Sequence, residues 1–120
     1  MAQSETLGEL SETLAKFAHD RDWDQFHTPK NLSMALAVEV AEIMEIFQWK
    51  TAEESVNLSS EEFGHLRDEL ADSFVYLIRL ADISGVDLME AARKKIEKNQ
   101  AKYPADLVRG SAAKYTEYQK

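Results

Sequence analysis

The sequence predicts an all-α protein, a four-helix bundle protomer that assembles into an oligomer. Only 4 Gly and 2 Pro occur among the 120 residues, so long uninterrupted helices are possible. Apolar residues recur at three- and four-residue spacing, the periodicity of an amphipathic helix, and a capping pattern precedes two of the predicted helices. The length fits one domain, so residues 1–120 are predicted to fold as a single unit.

The first two helices are predicted from hydrophobic spacing. The first carries four apolar residues on one face, Leu7, Leu10, Leu14 and Phe17. Residues 19–29 mix polar side chains with aromatic ones and are predicted to form a structured loop. The second helix is predicted from about Asn31 to Trp49.

Start and stop signals delimit the third helix. Residues 50–58 are polar and are predicted to form a loop. Ser59 and Glu62 then form a capping-box pattern, which predicts a helix start. This third helix should continue to about Ile83, and Gly85 should end it.

The fourth helix is predicted from Asp87, which repeats the capping pattern with Glu90, to Tyr103. Pro104 disfavours helical backbone at the residue before it, so the helix should stop there. Residues 105–120 are predicted to form a C-terminal tail.

The second and third predicted helices are apolar nearly all round. In the second helix the polar residues are few, namely Glu39, Glu42, Glu45 and Gln48 after the first turn. A helix of this kind must be covered on every side, which four helices in one small chain do not easily achieve. We therefore expect a homo-oligomer.

The composition favours a cytoplasmic protein that binds neither nucleic-acid polymers nor membranes. Lys and Arg number 14 against 22 Asp and Glu, whereas affinity for DNA or RNA comes mostly from basic residues. Charged residues interrupt the apolar runs before membrane-spanning length, and the N-terminus lacks a signal-peptide pattern. The absence of cysteine excludes disulfides and thiolate metal sites. A small polyphosphate remains a possible ligand if metal ions neutralise the contact.

Two pairs of carboxylates lie inside the apolar helices. Glu39 and Glu42 are three residues apart in the second helix, and Glu69 and Asp72 repeat that spacing in the third. Residues at this spacing share a helix face, so facing helices would bring four carboxylates together. Burying four negative charges requires compensating cations. Oxygen ligands favour Mg²⁺, Mn²⁺ or Ca²⁺ over zinc, so the sequence predicts a site for such an ion.

Two other interpretations compete with this site. In the first, the acidic residues are ordinary solvated helix faces, which is the common case for a lone Glu-x-x-Glu. A di-iron carboxylate bundle needs Glu-x-x-His on two helices, and the sequence has only Glu62-x-x-His65.

Further motifs make the pattern specific. Glu39-Val-Ala-Glu42 followed by Glu69-Leu-Ala-Asp72 resembles the signature of the MazG-like, all-α NTP pyrophosphatases. The resemblance covers nearly the whole chain and is strongest to the dCTP pyrophosphatase subfamily. Its other motifs are Arg21-Asp-Trp23-Asp-Gln-Phe-His27, Pro29-Lys-Asn-Leu32, Glu45-Ile-Phe-Gln-Trp49-Lys50, Lys95-x-x-x-Asn99, Tyr103-Pro104 and Lys114-Tyr115-Thr-Glu117.

The resemblance implies Mg²⁺-dependent hydrolysis of a dNTP, foremost dCTP or a modified dCTP, to the monophosphate and pyrophosphate in a homotetramer. Such an activity serves nucleotide pool sanitation or precursor supply. The sequence departs from the dCTP-preferring relatives at Leu14, where they carry a histidine, and this lowers the expected preference for cytosine.

Aromatic residues and one histidine are the candidates for contact with the nucleoside. The resemblance favours Trp23 and Trp49, and raises His27 as a hydrogen-bond donor to a base or a phosphate. Tyr76 lies one turn beyond Asp72 and is predicted to share the carboxylate face. An isolated aromatic residue more often fills a core, and that interpretation stays open for Tyr76.

Basic residues near the C-terminus are candidates for binding phosphate oxygens. Lys95, Asn99 and Lys102 fall on one face of the fourth helix, where charge-assisted hydrogen bonds to phosphate would form. A second set in the tail is predicted to clamp the substrate, namely Arg109, Lys114 and Tyr115.

The predicted mechanism has Mg²⁺, or Mn²⁺ as a substitute, bound by the four carboxylates and polarising the triphosphate. A water attacks the α-phosphorus, and either Glu39 or Glu45 accepts its proton. The rival hypothesis is a non-catalytic helical interaction module whose acidic stripe meets a basic partner. The enzyme hypothesis predicts a metal requirement and phosphate release, whereas the interaction module predicts neither.

Overall fold

The computed structural model describes residues 5–112, which form helices and no strand within that range. The helices are α1 (Leu7–Asp20), α2 (Pro29–Phe47), α3 (Ala52–Ser55), α4 (Ser60–Ser84), α5 (Leu88–Lys102) and α6 (Ala105–Val108). The prediction of an all-α protein is confirmed. The chain divides into two compact units, Met1–Val86 and Asp87–Lys120, so the four-helix bundle and the single domain stay predictions.

Helix boundaries follow the capping chemistry of the sequence. In each of five residues that precede a helix, the side chain accepts a hydrogen bond from the backbone N–H three positions on: Thr6, Thr28, Thr51, Ser59 and Asp87. The box at Ser59 is reciprocal, because its own N–H donates to Glu62 Oε1 at 3.0 Å. Gly85 ends α4 with a left-handed φ of 72°, which glycine adopts without a Cβ penalty.

The prediction that residues 50–58 form only a loop is wrong, because α3 lies within them. Thr51 Oγ1 accepts a hydrogen bond from the Glu54 N–H at 3.1 Å, and Glu54 Oε1 accepts one from the Thr51 N–H at 2.9 Å. This is the same capping box that starts α4. A short helix, α6, likewise occupies part of the predicted tail, while residues 113–120 lie outside the described range.

The first unit is organised along α4. Helix α2 packs against α4, and α1 also contacts it. The side chains buried between these helices include Ala18, Leu32 and Ile78, each 2% exposed or less. Many large apolar residues of α2 and α4 nevertheless remain exposed, among them Met34, Val38, Val40, Met44, Phe63, Leu70, Phe74 and Leu77. Within residues 5–112, no helix is both long enough and apolar enough to cross a bilayer.

Candidate metal and nucleotide site

The predicted carboxylate cluster forms where α2 packs against α4. Glu39 from α2 and Glu69 and Asp72 from α4 each offer one carboxylate oxygen, and these three atoms lie within 4.8 Å of one another. The i, i+3 spacing on α4 places Glu69 and Asp72 on one face, and the packing of α2 brings Glu39 to it. The arrangement can hold a cation between the two helices.

Glu42 joins this cluster one turn beyond Glu39. A hydrogen bond with Glu69 is the main cause that raises the pKa of the Glu42 carboxyl, while a hydrogen bond with Glu39 opposes it. Burial is the main cause that raises the pKa of Glu39, and the charges of Glu42 and Asp72 add to the effect. Burial and nearby negative charges both favour the neutral form of a carboxyl group.

The cluster contains buried oxygen atoms that lack a protein donor. Oε2 of Glu39 and Oε2 of Glu69 are both inaccessible and have no hydrogen-bond partner, and Ser73 Oγ is in the same condition. The other oxygen of Glu69 lies 3.4 Å from Nε2 of His65. A buried carboxylate oxygen without a donor is costly, and a divalent cation would satisfy it. All the ligands are carboxylates, so the residues fit Mg²⁺ or Mn²⁺.

An aromatic cavity of about 280 Å³ lies beside the cluster in the same unit. Its lining residues are Leu14, Phe17, Ala18, Trp23, His27, Asp72, Val75, Tyr76 and Arg79. The rings of Phe17 and Trp23 meet edge to face with centroids 5.5 Å apart, and the His27 ring lies 6.1 Å from that of Trp23. A mostly apolar cavity with a few polar groups is the usual form of a small-molecule site. Asp72 belongs to both the cavity and the carboxylate cluster.

Arg79 ties the loop between α1 and α2 to α4. Its side chain is 6% exposed, and its Nη2 donates to Asp24 Oδ1 at 2.9 Å. Its Nη1 donates to Asp82 Oδ2 at 3.1 Å, and its Nε donates to Nδ1 of His27 at 3.1 Å. Burial, then the charge of Arg79, lowers the pKa of His27, while Asp24 acts in the opposite direction. Arg79 therefore holds the loop that carries Trp23 and His27 against α4 through two hydrogen bonds, one to Asp24 and one to His27.

The structure brings seven of the predicted residues together in the first unit, namely Glu39, Glu42, Glu69, Asp72, Trp23, His27 and Tyr76. Glu45 is exposed on α2, and its charge raises the pKa of Glu42. Trp49 lies just after α2, is 89% exposed and does not line this cavity.

The predicted phosphate ligands lie in the second unit. Lys95, Asn99 and Lys102 are on α5, and Arg109 follows α6, where its Nη2 lies 3.9 Å from Asp106 Oδ1. Lys114 and Tyr115 fall outside the described residues. The role of all these residues as phosphate ligands stays a prediction.

Sequence reasoning missed Arg79 and its partners Asp24 and Asp82. One signal was available, because Arg79 is the only charged residue between Asp72 and Asp82 in an otherwise apolar stretch of α4. A charged residue in such a stretch is rarely buried without partners. The identity of those partners depends on tertiary packing, which residue spacing does not reveal.

Known proteins share the sequence pattern and the fold of this chain. The sequence profile of the MazG-like family matches residues 34–118. Proteins named dCTP pyrophosphatase 1 from Bos taurus and Homo sapiens are each 46% identical over 114 residues, which is 93% of this chain and 68% or 67% of theirs. The crystal structure of a pyrophosphatase from Archaeoglobus fulgidus DSM 4304 superposes with a TM-score of 0.78 at 37% identity, over 87% of this chain and 97% of that one.

Proposed function

This chain belongs to the MazG-like family and is a nucleotide pyrophosphohydrolase, and we propose that it cleaves dCTP or a modified dCTP to the monophosphate and pyrophosphate. The observation that carries the proposal is the position of Asp72, which joins the carboxylate cluster and also lines the aromatic cavity. A nucleotide with its base in that cavity would have its triphosphate at the carboxylates. The names of the mammalian relatives support the choice of dCTP.

The residues that would hold Mg²⁺, or Mn²⁺ in its place, are Glu39, Glu42, Glu69 and Asp72. The two buried carboxylate oxygens that lack a donor support this assignment. A bound divalent ion neutralises the triphosphate and makes water more acidic.

A carboxylate near the cluster would act as the general base. Glu39 or Glu45 would accept on a carboxylate oxygen the proton of the water that attacks the α-phosphorus. Burial raises the pKa of Glu39, which suits a proton acceptor, whereas Glu45 is exposed and not needed to complete the cluster. Comparison of Glu45→Gln with wild type separates them, because an unchanged turnover leaves Glu39 as the base.

The aromatic cavity would receive the base. Trp23 offers a ring face for stacking and Tyr76 lies on the same lining, while His27 supplies a polar edge. Phosphate oxygens would be met by Lys95, Asn99, Lys102 and Arg109 of the second unit, with Lys114 and Tyr115 from the tail. Charge-assisted hydrogen bonds of this kind are the strong class of polar contact.

A homotetramer would cover the apolar residues that one chain leaves exposed. Val38 and Met44 on α2 and Phe74 on α4 are each at least 45% exposed, and such a surface marks an interaction site. Trp49, at 89% exposure, would contribute to a site completed by a second copy. Light scattering should give the mass of four protomers, and Val38→Glu should reduce it, whereas Ser33→Glu on the same helix should not.

The test of the function is a nucleotide panel assayed with and without metal. Wild type should release pyrophosphate from dCTP in Mg²⁺ and lose that activity in chelator. Absence of hydrolysis of every nucleotide in either metal would favour the rival hypothesis of a non-catalytic interaction module.

A further inference from the structure

We propose that Arg79 is a positioning residue that fixes His27 as a neutral imidazole, leaving its Nε2–H to donate to an acceptor on the nucleobase. This inference rests on the proposed function of the cavity. Arg79 stands outside the metal cluster and outside the residues that sequence analysis assigned to the substrate, and it lines the cavity together with His27.

The guanidinium of Arg79 is held in one orientation by three groups. Nη2 donates to Asp24 at 2.9 Å, Nη1 donates to Asp82 at 3.1 Å, and Nε donates to Nδ1 of His27 at 3.1 Å. Asp82 is on α4 with Arg79, whereas Asp24 and His27 are on the loop before α2. With the Arg79 side chain only 6% exposed, water competes little for these bonds.

The contact with Arg79 determines which nitrogen of His27 carries the proton. A guanidinium has five N–H donors and no acceptor, so Nδ1 of His27 must present its lone pair. A proton on Nδ1 would point at the N–H of Arg79, which disfavours both the other tautomer and the imidazolium. The proton therefore sits on Nε2, and within residues 5–112 no hydrogen bond to Nε2 forms. The lowered pKa of His27, caused first by burial and then by Arg79, agrees with a neutral ring.

A neutral N–H donor in an apolar cavity suits a neutral acceptor. The sequence alone leaves open whether His27 meets a base or a phosphate, and the geometry points to the base. A triphosphate is better met by cations, and Arg79, which lines the cavity beside His27, is already paired with two aspartates. A ring carbonyl or an unprotonated ring nitrogen, both of which cytosine offers, has the required chemistry.

A purely structural role for Arg79 is the alternative, since the Asp24 bond alone would hold the loop against α4. The two roles differ in what a variant changes. Loss of a structural tie would also displace Trp23, so its effect would add to that of His27→Phe, whereas the effect of losing an oriented donor is already contained in that of His27→Phe.

The first test is the nitrogen NMR spectrum of the imidazoles in the wild-type protein, with the His27 signals assigned by their loss in His27→Phe. We expect His27 to have a protonated Nε2 and an unprotonated Nδ1 at pH 7.5. A cationic ring, or a proton on Nδ1, overturns the proposal. This measurement needs no activity and no stable Arg79 variant.

The second test compares dCTP with 2-deoxyribose 5-triphosphate, which has the same phosphates and no base. Arg79→Met should lower the ratio of kcat/KM for dCTP to that for the baseless compound about tenfold, mainly through KM. His27→Phe should give the same ratio, and the double variant should add nothing further. Arg67→Met, on the same helix, is the matched control and should leave the ratio unchanged.

An equal loss on both compounds in Arg79→Met, or a further fall of the ratio in the double variant, would show a structural tie only and would overturn the proposal. If wild type hydrolyses neither compound, the proposed function fails, and the nitrogen spectrum decides separately whether Arg79 fixes the tautomer of His27.

Discussion

Asp72 and Arg79 lie two turns apart on α4, and both line the cavity that contains Trp23 and His27. Residues seven positions apart share a helix face, so one helix carries both side chains toward one cavity. Asp72 also belongs to the carboxylate cluster, and Arg79 orients His27. A rigid helix thereby sets the distance between Asp72, which would bind the metal at the phosphates, and Arg79, which would orient the donor to the base. Enzymes gain from such fixed positioning because it keeps the reacting groups aligned.

The carboxylate cluster makes the sharpest prediction for activity. Glu42→Gln keeps the size of the side chain and removes a negative ligand, so turnover in Mg²⁺ should fall at least about a hundredfold. Steady-state pyrophosphate release measures this. Glu61→Gln, at an exposed position in the first turn of α4, is the control and should keep wild-type turnover. Full activity in Glu42→Gln would remove the basis of the proposed metal site.

The same substitution should stabilise the protein when no metal is present. A raised pKa means that the folded state binds a proton more tightly than the unfolded state, so stability is lost as the pH rises above the ordinary value of 4.5. Glu42→Gln cannot lose that proton, and at pH 8 in chelator its free energy of unfolding should exceed that of wild type. The difference in unfolding free energy between the variant and wild type should become smaller as the pH falls toward 4.5. Added Mg²⁺ should stabilise wild type more than the variant.

Urea unfolding in chelator and in Mg²⁺ provides both comparisons, with Glu61→Gln as the reference for loss of an exposed charge. If Glu42→Gln has a lower free energy of unfolding than wild type at pH 8 in chelator, charge repulsion within the cluster does not destabilise the metal-free protein. Stability and function are therefore expected to oppose each other at this position, as they often do at active sites.

Glu62 makes the opposite pH prediction. The ion pair with Lys50, whose Nζ lies 2.6 Å from Glu62 Oε2, and the backbone N–H of Ser59 lower the pKa of Glu62 to about 2. A lowered pKa contributes stability that is present above the unfolded value of 4.5 and is lost as the pH falls toward 2. Glu62→Gln should therefore be less stable than wild type at pH 7.

The difference in unfolding free energy between wild type and Glu62→Gln should shrink steadily below pH 4.5. Gln retains the capping hydrogen bond, so the comparison isolates the charge paired with Lys50. Lys50 pairs with Glu62, so Glu61→Gln should change the unfolding free energy less, and with little dependence on pH. A constant difference between pH 7 and pH 3 would mean that the ion pair contributes nothing.

Local rules predicted the parts of the fold and site that depend on residue spacing. The capping box at Ser59 and the left-handed Gly85 delimit α4 as expected, since both are backbone requirements written in neighbouring residues. The i, i+3 pairs likewise predicted one carboxylate face on each helix, and the packing of α2 on α4 unites them. The helix α3 was missed although Thr51-x-x-Glu54 carries the same box, because its four residues have no hydrophobic period.

Tertiary contacts explain what spacing did not predict. Arg79 and Asp24 are far apart in the chain and meet only because the loop after α1 folds back on α4. Trp49, which the resemblance places near the nucleoside, follows the end of α2 and is 89% exposed, so its role stays a prediction.

Substrate choice is the last property that the cavity allows us to predict. Stacking on an aromatic ring contributes about 1–3 kcal/mol and tolerates every base, so Trp23 gives affinity rather than selectivity. Selectivity must come from hydrogen bonds at the polar edge that His27 supplies, or from steric limits that the lining residues set on the base. Leu14 lines the same cavity and offers no donor, so the preference for cytosine should be moderate.

Values of kcat/KM for dCTP, dUTP, dTTP, dATP and dGTP test this directly, and we expect dCTP to lead and both purines to be poor. Trp23→Ala should lower all five values by a similar factor, because stacking does not distinguish the bases. His27→Phe should lower the value for dCTP more than those for the purines.

A purine at the head of the series would refute the assignment to cytosine while leaving pyrophosphohydrolysis intact. Five values within about a factor of three would indicate a general dNTP hydrolase, because wrong bases would then leave no buried polar group unpaired. In that case Trp49→Ala should weaken all five alike.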